Sequence, residues 1–413
     1  MPKKSTPKQN ASVETEDSIE IPVTKKTDRS LEIPTANKKS EPPRPDPVAE
    51  VTPTVVISQK AKAKTISNKR LGWLIGSGAA ALILVAGLGW WFFRPTDQTN
   101  DNSNLVTNDQ TGELVARQLD GVLVEPEKAN TNILAVMIEN INESRPPSAL
   151  DKASVVYEAL AEGGITRFLA LYPIGVSFAE LGPVRSARPY YISWAEEYRA
   201  LYVHAGGSPQ ALTYLRSGQA KVIDFNQFVN GGHFWRDKTR VAPHNLYTDS
   251  DKLYLGLKRA APDASPTFSS WTFQTEPTLE QRPVQVPDTT IDFSSFNYKV
   301  TYQYDREQNR YQRLVGEKPH LTRDGQQIYA KNIIVQYTKT GLIANDSQRL
   351  QMETSGEGRA VIIRDGTVIE GTWKKPSASE RTQWFDTSGQ TIPLNRGPIW
   401  IEIVPPDRVV KTT

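Results

Sequence analysis

"ALYVHAGGSPQALTYLRS", residues 200–217, decides the fold class. Its first five residues are β-prone and end on His204. Gly206 and Gly207 then let the chain turn, and Ser208-Pro209 supplies an N-cap and a first-turn proline for "PQALTYLRS". Strand, glycine turn and helix in direct succession form the unit of an α/β layer fold. The stretch before it, "GPVRSARPYY" at 182–191, has the same form: Pro189 opens a helix in which Tyr190, Trp194 and Glu197 share a face. Further upstream, "NILAVMIEN" (132–140), "ASVVYEAL" (153–160) and "TRFLALY" (166–172) are short apolar runs that read as buried strands, and "KVID" (221–224) reads as another. Residues 118–265 are therefore expected to form an α/β domain with some parallel pairing.

Residues 266–287, rich in Pro, Thr and Gln, read as a connector, and the pattern changes after them. "NYKVTYQYD" (297–305) alternates, and "NRYQRL" (309–314) pairs back on it. "RAVIIRDGTVIEGTW" (359–373) places Asp365-Gly366 between two β-prone runs, a hairpin signal. "IWIEIV" (399–404) reads as the final strand. The region 288–407 is thus expected to be a mostly-β domain.

The N-terminal part answers where the protein sits. "LGWLIGSGAAALILVAGLGWWFF", residues 71–93, is 23 residues without a charge, enough for one transmembrane helix. Trp73 lies near one end and Trp90, Trp91 and Phe92 near the other, at interfacial positions. Lys60, Lys62, Lys64, Lys69 and Arg70 precede the run, so the positive-inside rule leaves the N-terminus in the cytoplasm and the C-terminal domains outside. A cleaved signal peptide does not fit a charged prefix of 70 residues. That prefix, residues 1–70, holds nine prolines and no aromatic residue, and reads as a disordered cytoplasmic tail. Residues 94–117 read as a flexible stalk.

Net charge is +3 over 413 residues, with +5 in the tail, so nothing marks the chain as a nucleic-acid binder. The absence of cysteine excludes thiol chemistry, disulfides and Cys-ligated metal. No P-loop and no G-x-G-x-x-G is present, and no serine sits in a G-x-S-x-G setting.

The two junctions carry the functional expectation. If "FLALYPI" and "ALYVH" are neighbouring strands, Arg185 and Arg188 sit at the mouth of the helix between them. A helix start offers free N–H groups, and guanidinium forks complement phosphate or carboxylate. Gly206, Gly207 and Ser208 form the second helix start. An anion-binding site at the carboxyl edge of the sheet is one reading. The other has the arginines bracing the fold through Glu158, Glu162 or Glu196. A polar constellation, "HFWRDKTRVAPHNLY" at 233–247, adds Arg236, Asp237 and Asn245 as candidate ligand-binding residues, with His244 and His204 as candidate general bases. The histidine spacing matches no metal template, so no metal or other cofactor is assigned.

"ENINESRPPSALDKASVVYEALAEGGITRFLALY", "GPVRSARPYY", "YVHAGGSP" and "RDKTRVAPHNLY", in this order, resemble the YerB-like family of bacterial envelope lipoproteins, two-domain proteins of unknown function. "GTWKK" (371–375) and "GPIWIEIVP" (397–405) resemble its C-terminal β domain. The resemblance covers about 118–407 and implies an envelope location without implying a reaction. The family's lipid-modified cysteine is missing here, and the apolar run 71–93 would take over anchoring. In layout and residue type alone, Arg145, Arg185 and Arg188 beside a Gly-Gly helix start are also similar to the LytR–CpsA–Psr family, which acts on polyprenyl-linked pyrophosphate. The expected protein is membrane-anchored and binds an anionic envelope ligand or an envelope protein. The alternatives are an enzyme on phosphate-linked envelope glycans and a structural scaffold. Cell-wall glycan and polyprenyl phosphate are the expected partner classes beside the membrane.

Overall fold

A computed structural model describes residues 113–412. The predicted tail and span, and the stalk up to residue 112, lie outside the described residues. Among the described residues no helix is long and apolar enough to cross a membrane.

The strands, in chain order, are β1 (Ile133–Glu139), β2 (Val155–Leu160), β3 (Thr166–Pro173), β4 (Leu201–His204), β5 (Ile223–Asn226), β6 (Thr289–Asp292) and β7 (Lys299–Asp305). They continue with β8 (Arg310–Val315), β9 (Asn332–Tyr337), β10 (Gly356–Arg364), β11 (Thr367–Lys375), β12 (Gln383–Asp386), β13 (Ile399–Val404) and β14 (Val410–Thr412). The helices are α1 (Pro189–Glu196), α2 (Pro209–Arg216) and α3 (Ser250–Ala260).

Ten strands form one mixed sheet in the order β12-β11-β10-β9-β13-β2-β3-β1-β4-β5. The first half of the chain is α/β and the second mostly β, as expected, yet the two halves share this sheet. β13 lies between β9 and β2, parallel to both. The boundary at 266–287 is therefore a change of pattern and not a break in the sheet. The connector is also anchored, since Phe268 and Trp271 are buried in the core. The smaller sheet has six strands: four run β8-β7-β6-β14, and the two-residue strands Lys318–Pro319 and Tyr329–Ala330 also pair with β8.

The apolar runs explain the layering. Every residue of β1, β2, β3, β9 and β13 is buried, as strands covered on both faces require. On one face Ile133, Ala135 and Met137 pack with Tyr191, Trp194 and Ala211 of α1 and α2. On the other, Leu134, Val136 and Ile138 pack with Leu253 of α3 and with Ile291, Val300 and Tyr302 of the smaller sheet.

Local signals hold at the residue level. The Ser208 hydroxyl accepts the Ala211 N–H at 3.3 Å, the cap expected of it. Asp365 and Gly366 have φ of 54° and 71°, the left-handed pair that a two-residue hairpin turn demands. Three expectations are corrected. β5 begins at Ile223, two residues later than "KVID" suggests. "IWIEIV" is not the last strand, since β14 follows and pairs with β6. β3 and β4 are not neighbours, because β1 lies between them.

Candidate functional site

The register brings the ends of β1, β2, β4, β5, β9 and β13 to one edge of the sheet. Glu139, Glu158, His204 and Glu402 lie on these strands at or near that edge. Residues 184–187 cross it as an extended segment. Arg185 N–H donates to the Met137 carbonyl (2.9 Å) and the Arg185 carbonyl accepts from Ala205 N–H (3.0 Å). Ala187 N–H donates to the Gly206 carbonyl (2.9 Å), and Ser208 N–H to the Ala187 carbonyl (3.2 Å). The two junctions are thus stitched together. A Cβ on Gly207 would sit 3.1 Å from the Ala187 Cβ, so this glycine serves the approach of the chain to itself.

His204 is fully buried. Its Nδ1 is 2.7 Å from the Gly206 carbonyl and its Nε2 is 2.7 Å from Asp224 Oδ1. Neither ring nitrogen is free to exchange a proton with a substrate, so the ring braces the turn. His244 is placed differently. Its Nδ1 lies 3.2 Å from Glu139 Oε2, and its side chain is 22 % exposed.

Glu139 also pairs with Arg185, whose burial holds the guanidinium below its ordinary value. Arg188 precedes α1 and pairs with Glu162, which lies 3.7 Å from Arg167. Arg145 donates from Nε to Asn140 (2.9 Å) and from Nη2 to the Asn297 carbonyl (2.8 Å), with its guanidinium over Tyr298. Below this surface Asn140 reaches Glu158 and Thr166. Arg313 enters from the smaller sheet to pair with Glu158 and lies 3.9 Å from Glu402, all three fully buried. Glu158 and Glu402 stand opposite each other on β2 and β13. Burial first, and then the Glu158 charge, push the Glu402 carboxyl well above its ordinary 4.5. Tyr302 donates to Glu402. His320 accepts from Arg313; burial and the neighbouring guanidinium push its pKa well below its ordinary value, so the ring stays neutral.

Five guanidinium groups (Arg145, Arg167, Arg185, Arg188 and Arg313) are therefore gathered at this edge with the carboxyl groups of Glu139, Glu143, Glu158, Glu162 and Glu402. Apart from Arg185 Nε, which faces Glu139, the buried Arg167 Nε and the OH of the neighbouring Tyr202 have no hydrogen-bond partner among the described residues.

Residues 119–263 match the N-terminal domain, and residues 289–401 the C-terminal domain, of a family described as "Protein of unknown function (DUF3048)". The chain belongs to the DUF3048 family. One relative, described as "Putative lipoprotein YerB" of Bacillus subtilis (strain 168), is 31% identical over 300 residues, 71% of this chain and 88% of that protein. The crystal structure of YerB from Bacillus subtilis superimposes with a TM-score of 0.64 at 29% identity, covering 72% of this chain and 99% of the other. The YerB-like resemblance read from the ordered motifs therefore stands.

In this DUF3048 protein the predicted residues divide into groups. Arg145, Arg185, Arg188 and His244 come to the carboxyl edge, joined through Glu139, Asn140 and Glu162. The main-chain groups of Gly206 and Ser208 and the Ser208 hydroxyl are occupied by the chain itself. Arg236, Asp237 and Asn245 build the loop that delivers His244. Asn245 bonds the Asp237 and Arg240 carbonyls and accepts from Arg236. Asp237 is held down to about 2 by Thr239 first, with Arg323 adding to it. Arg240 fastens this loop to the Ser144 and Pro146 carbonyls. His233 turns away to the Lys252 carbonyl at 2.7 Å.

The bracing reading named Glu158, Glu162 and Glu196. Glu162 does brace Arg188, but Arg185 takes Glu139, and Glu196 binds Tyr214 and Lys221 instead. The sequence reading passed over Glu139, Arg167, Arg313 and Glu402. A signal for them existed: each is a charged residue inside an otherwise apolar or alternating strand, where burial demands a partner.

Proposed function

We propose that this is a membrane-anchored protein of the cell envelope whose carboxyl-edge arginine cluster binds a phosphate- or carboxylate-bearing envelope ligand. The observation that carries this reading is the gathering of five guanidinium groups at one edge, with Arg167 Nε and Tyr202 OH buried and without acceptors among the described residues. An oxyanion reaching the edge beside Arg185 supplies charge and acceptors together. The uncharged run 71–93 with its basic N-terminal flank supports the anchoring, as does the lipoprotein description of the relative.

The test is calorimetric titration of the full-length protein in detergent with pyrophosphate, polyprenyl-phosphate analogues and wall glycan fragments. Arg185→Lys keeps the charge and removes the planar fork, so affinity is expected to fall by about 1–3 kcal/mol. If the arginines only brace the fold, none of these ligands binds the parent protein, and the reading is lost.

A second reading rests on His244. Its Nδ1 is oriented by Glu139 and no hydrogen bond from the described residues engages its Nε2, the arrangement of a general base. On this reading the protein acts on phosphate-linked envelope glycans. His244→Ala then lowers turnover by roughly 100-fold or more with ligand affinity retained; unchanged envelope function in cells carrying the variant excludes it.

Topology has its own test. Protease added outside intact protoplasts is expected to digest the chain beyond about residue 95 and to leave the 1–70 tail protected. Protection of the folded region instead overturns the extracytoplasmic assignment.

A further inference from the structure

A second cluster lies at the other end of α1, away from Arg188. Glu197, which follows the helix, is fully buried and is approached by Lys375 at 3.1 Å and Arg381 at 3.7 Å. Its carboxylate is already committed, accepting from Thr382 N–H at 3.0 Å and the Thr382 hydroxyl at 2.8 Å. Lys375 is satisfied, because it also donates to the Ser193 carbonyl at 2.7 Å and the Ser193 hydroxyl at 3.2 Å. Arg381 is not. Its guanidinium lies over Trp271 at 3.5 Å and over Tyr198 at 4.0 Å from the ring centroids. These contacts engage the faces of the guanidinium plane and leave its edge donors unused. Nε, Nη1 and Nη2 are all buried, and none has a hydrogen-bond partner among the described residues. The side chain is 2 % exposed.

Arg381 lines a pocket of about 380 Å³ whose walls include Ser269, Lys374, Gln383 and Phe385. The buried Glu196 carboxylate beside Lys375 balances the second cation, so what remains is a buried guanidinium whose donors lack acceptors among the described residues, a costly arrangement unless an anion completes it.

We propose that this pocket is a binding site for a singly charged oxyanion, a carboxylate or a phosphodiester, distinct from the arginine cluster at the carboxyl edge. The oxyanion accepts from the edge of the Arg381 fork, which is built for two-point recognition of such groups. Lys374, at the exposed rim and 3.1 Å from Glu357, adds a charge that can turn to the ligand, and Ser269 and Gln383 add polar groups. Phe385 offers an apolar wall to the part of the ligand that carries the anion. Glu380, also on the wall, opposes multiply charged ligands and restricts the site to monoanions.

The probes are isobutyrate for the carboxylate and dimethyl phosphate for the phosphodiester, titrated into the full-length protein. Tryptophan emission includes a report from the site, because two of the nine tryptophans lie there, Trp271 touching Arg381 and Trp384 4.7 Å from Trp271, and Trp271→Phe should remove that part of the response. A saturable change is expected with at least one probe, and the responding probe identifies the class. Arg381→Lys should weaken that binding by ~10-fold or more, while Arg185→Lys leaves it unchanged. Lys374→Glu, at an exposed position outside the buried cluster, should weaken it as well and decides the matter if Arg381→Lys does not fold. No saturable response in the parent, or unchanged affinity in the folded variants, overturns the site. Loss with Arg185→Lys instead assigns the response to the carboxyl-edge cluster.

Discussion

A fragment ending at residue 287 is expected not to fold. It contains β1 to β5 and the three helices, and the sequence pattern marks it as a domain. Its strand β2, however, depends on β13, which pairs with it along Ile399 to Ile403. Removing the second half exposes the buried edge of β2 and the sheet face that the smaller sheet covers. The apolar side chains of β13 alone (Ile399, Trp400, Ile401, Ile403 and Val404) are all buried. At about 1.5–3 kcal/mol for each, their loss is on the order of 10 kcal/mol, comparable to the whole stability of a typical domain. An unpaired apolar edge also invites aggregation. The fragment should show no cooperative thermal transition, whereas residues 113–413 should melt in one. A cooperative melt of the short fragment contradicts the dependence on β13.

Arg313→Ala is expected to cost about 3–5 kcal/mol, because it leaves Glu158 buried without its guanidinium partner. Glu402→Gln should cost about 1 kcal/mol or less. The amide reproduces the donor and acceptor of a protonated carboxyl and still accepts from Tyr302. Urea unfolding at neutral pH separates the two variants, and equal losses would show that Glu402 is ionised in the folded protein. The pH dependence follows from the same shift. Glu402 titrates higher folded than unfolded, so between 4.5 and its folded value the native state binds the extra proton. Its contribution is complete below 4.5 and is lost as pH rises through the folded value. Glu402→Gln should remove that part of the slope.

Much of the fold was legible one segment at a time. The runs at β1, β2, β3 and β13 read as strands because nearly every residue in them is apolar. The starts of α1 and α2 read correctly because Pro189 and the Ser208-Pro209 pair act on their own backbone. The hairpin at Asp365-Gly366 is likewise a property of two adjacent residues. The candidate site was legible only in part. Arg145, Arg185, Arg188 and His244 stood out as residue types near turns, and the strand–helix order placed Arg185 and Arg188 at the carboxyl edge, whereas the structure brought Arg145 and His244 there. Their carboxylate partners did not stand out. Glu139 ends an apolar strand, and Arg313 lies 155 residues from Glu158.

The sequence by itself did not determine α3, β6, β9, β12 or β14; it determined β1 to β5, β7, β8, β10, β11, β13, α1 and α2, the α/β-then-β order, the candidate membrane span and the family motifs. Each depends on interactions within a few residues or on direct likeness to related chains. The tertiary structure alone decided that β13 enters the first half's sheet and that His204 is enclosed while His244 faces Glu139. It also decided that burial beside Glu158 raises the Glu402 carboxyl and that Arg381 lacks an acceptor among the described residues. These outcomes depend on strand register and on distances through space between remote residues. A charge's partner and its exposure to water exist only once the chain has packed.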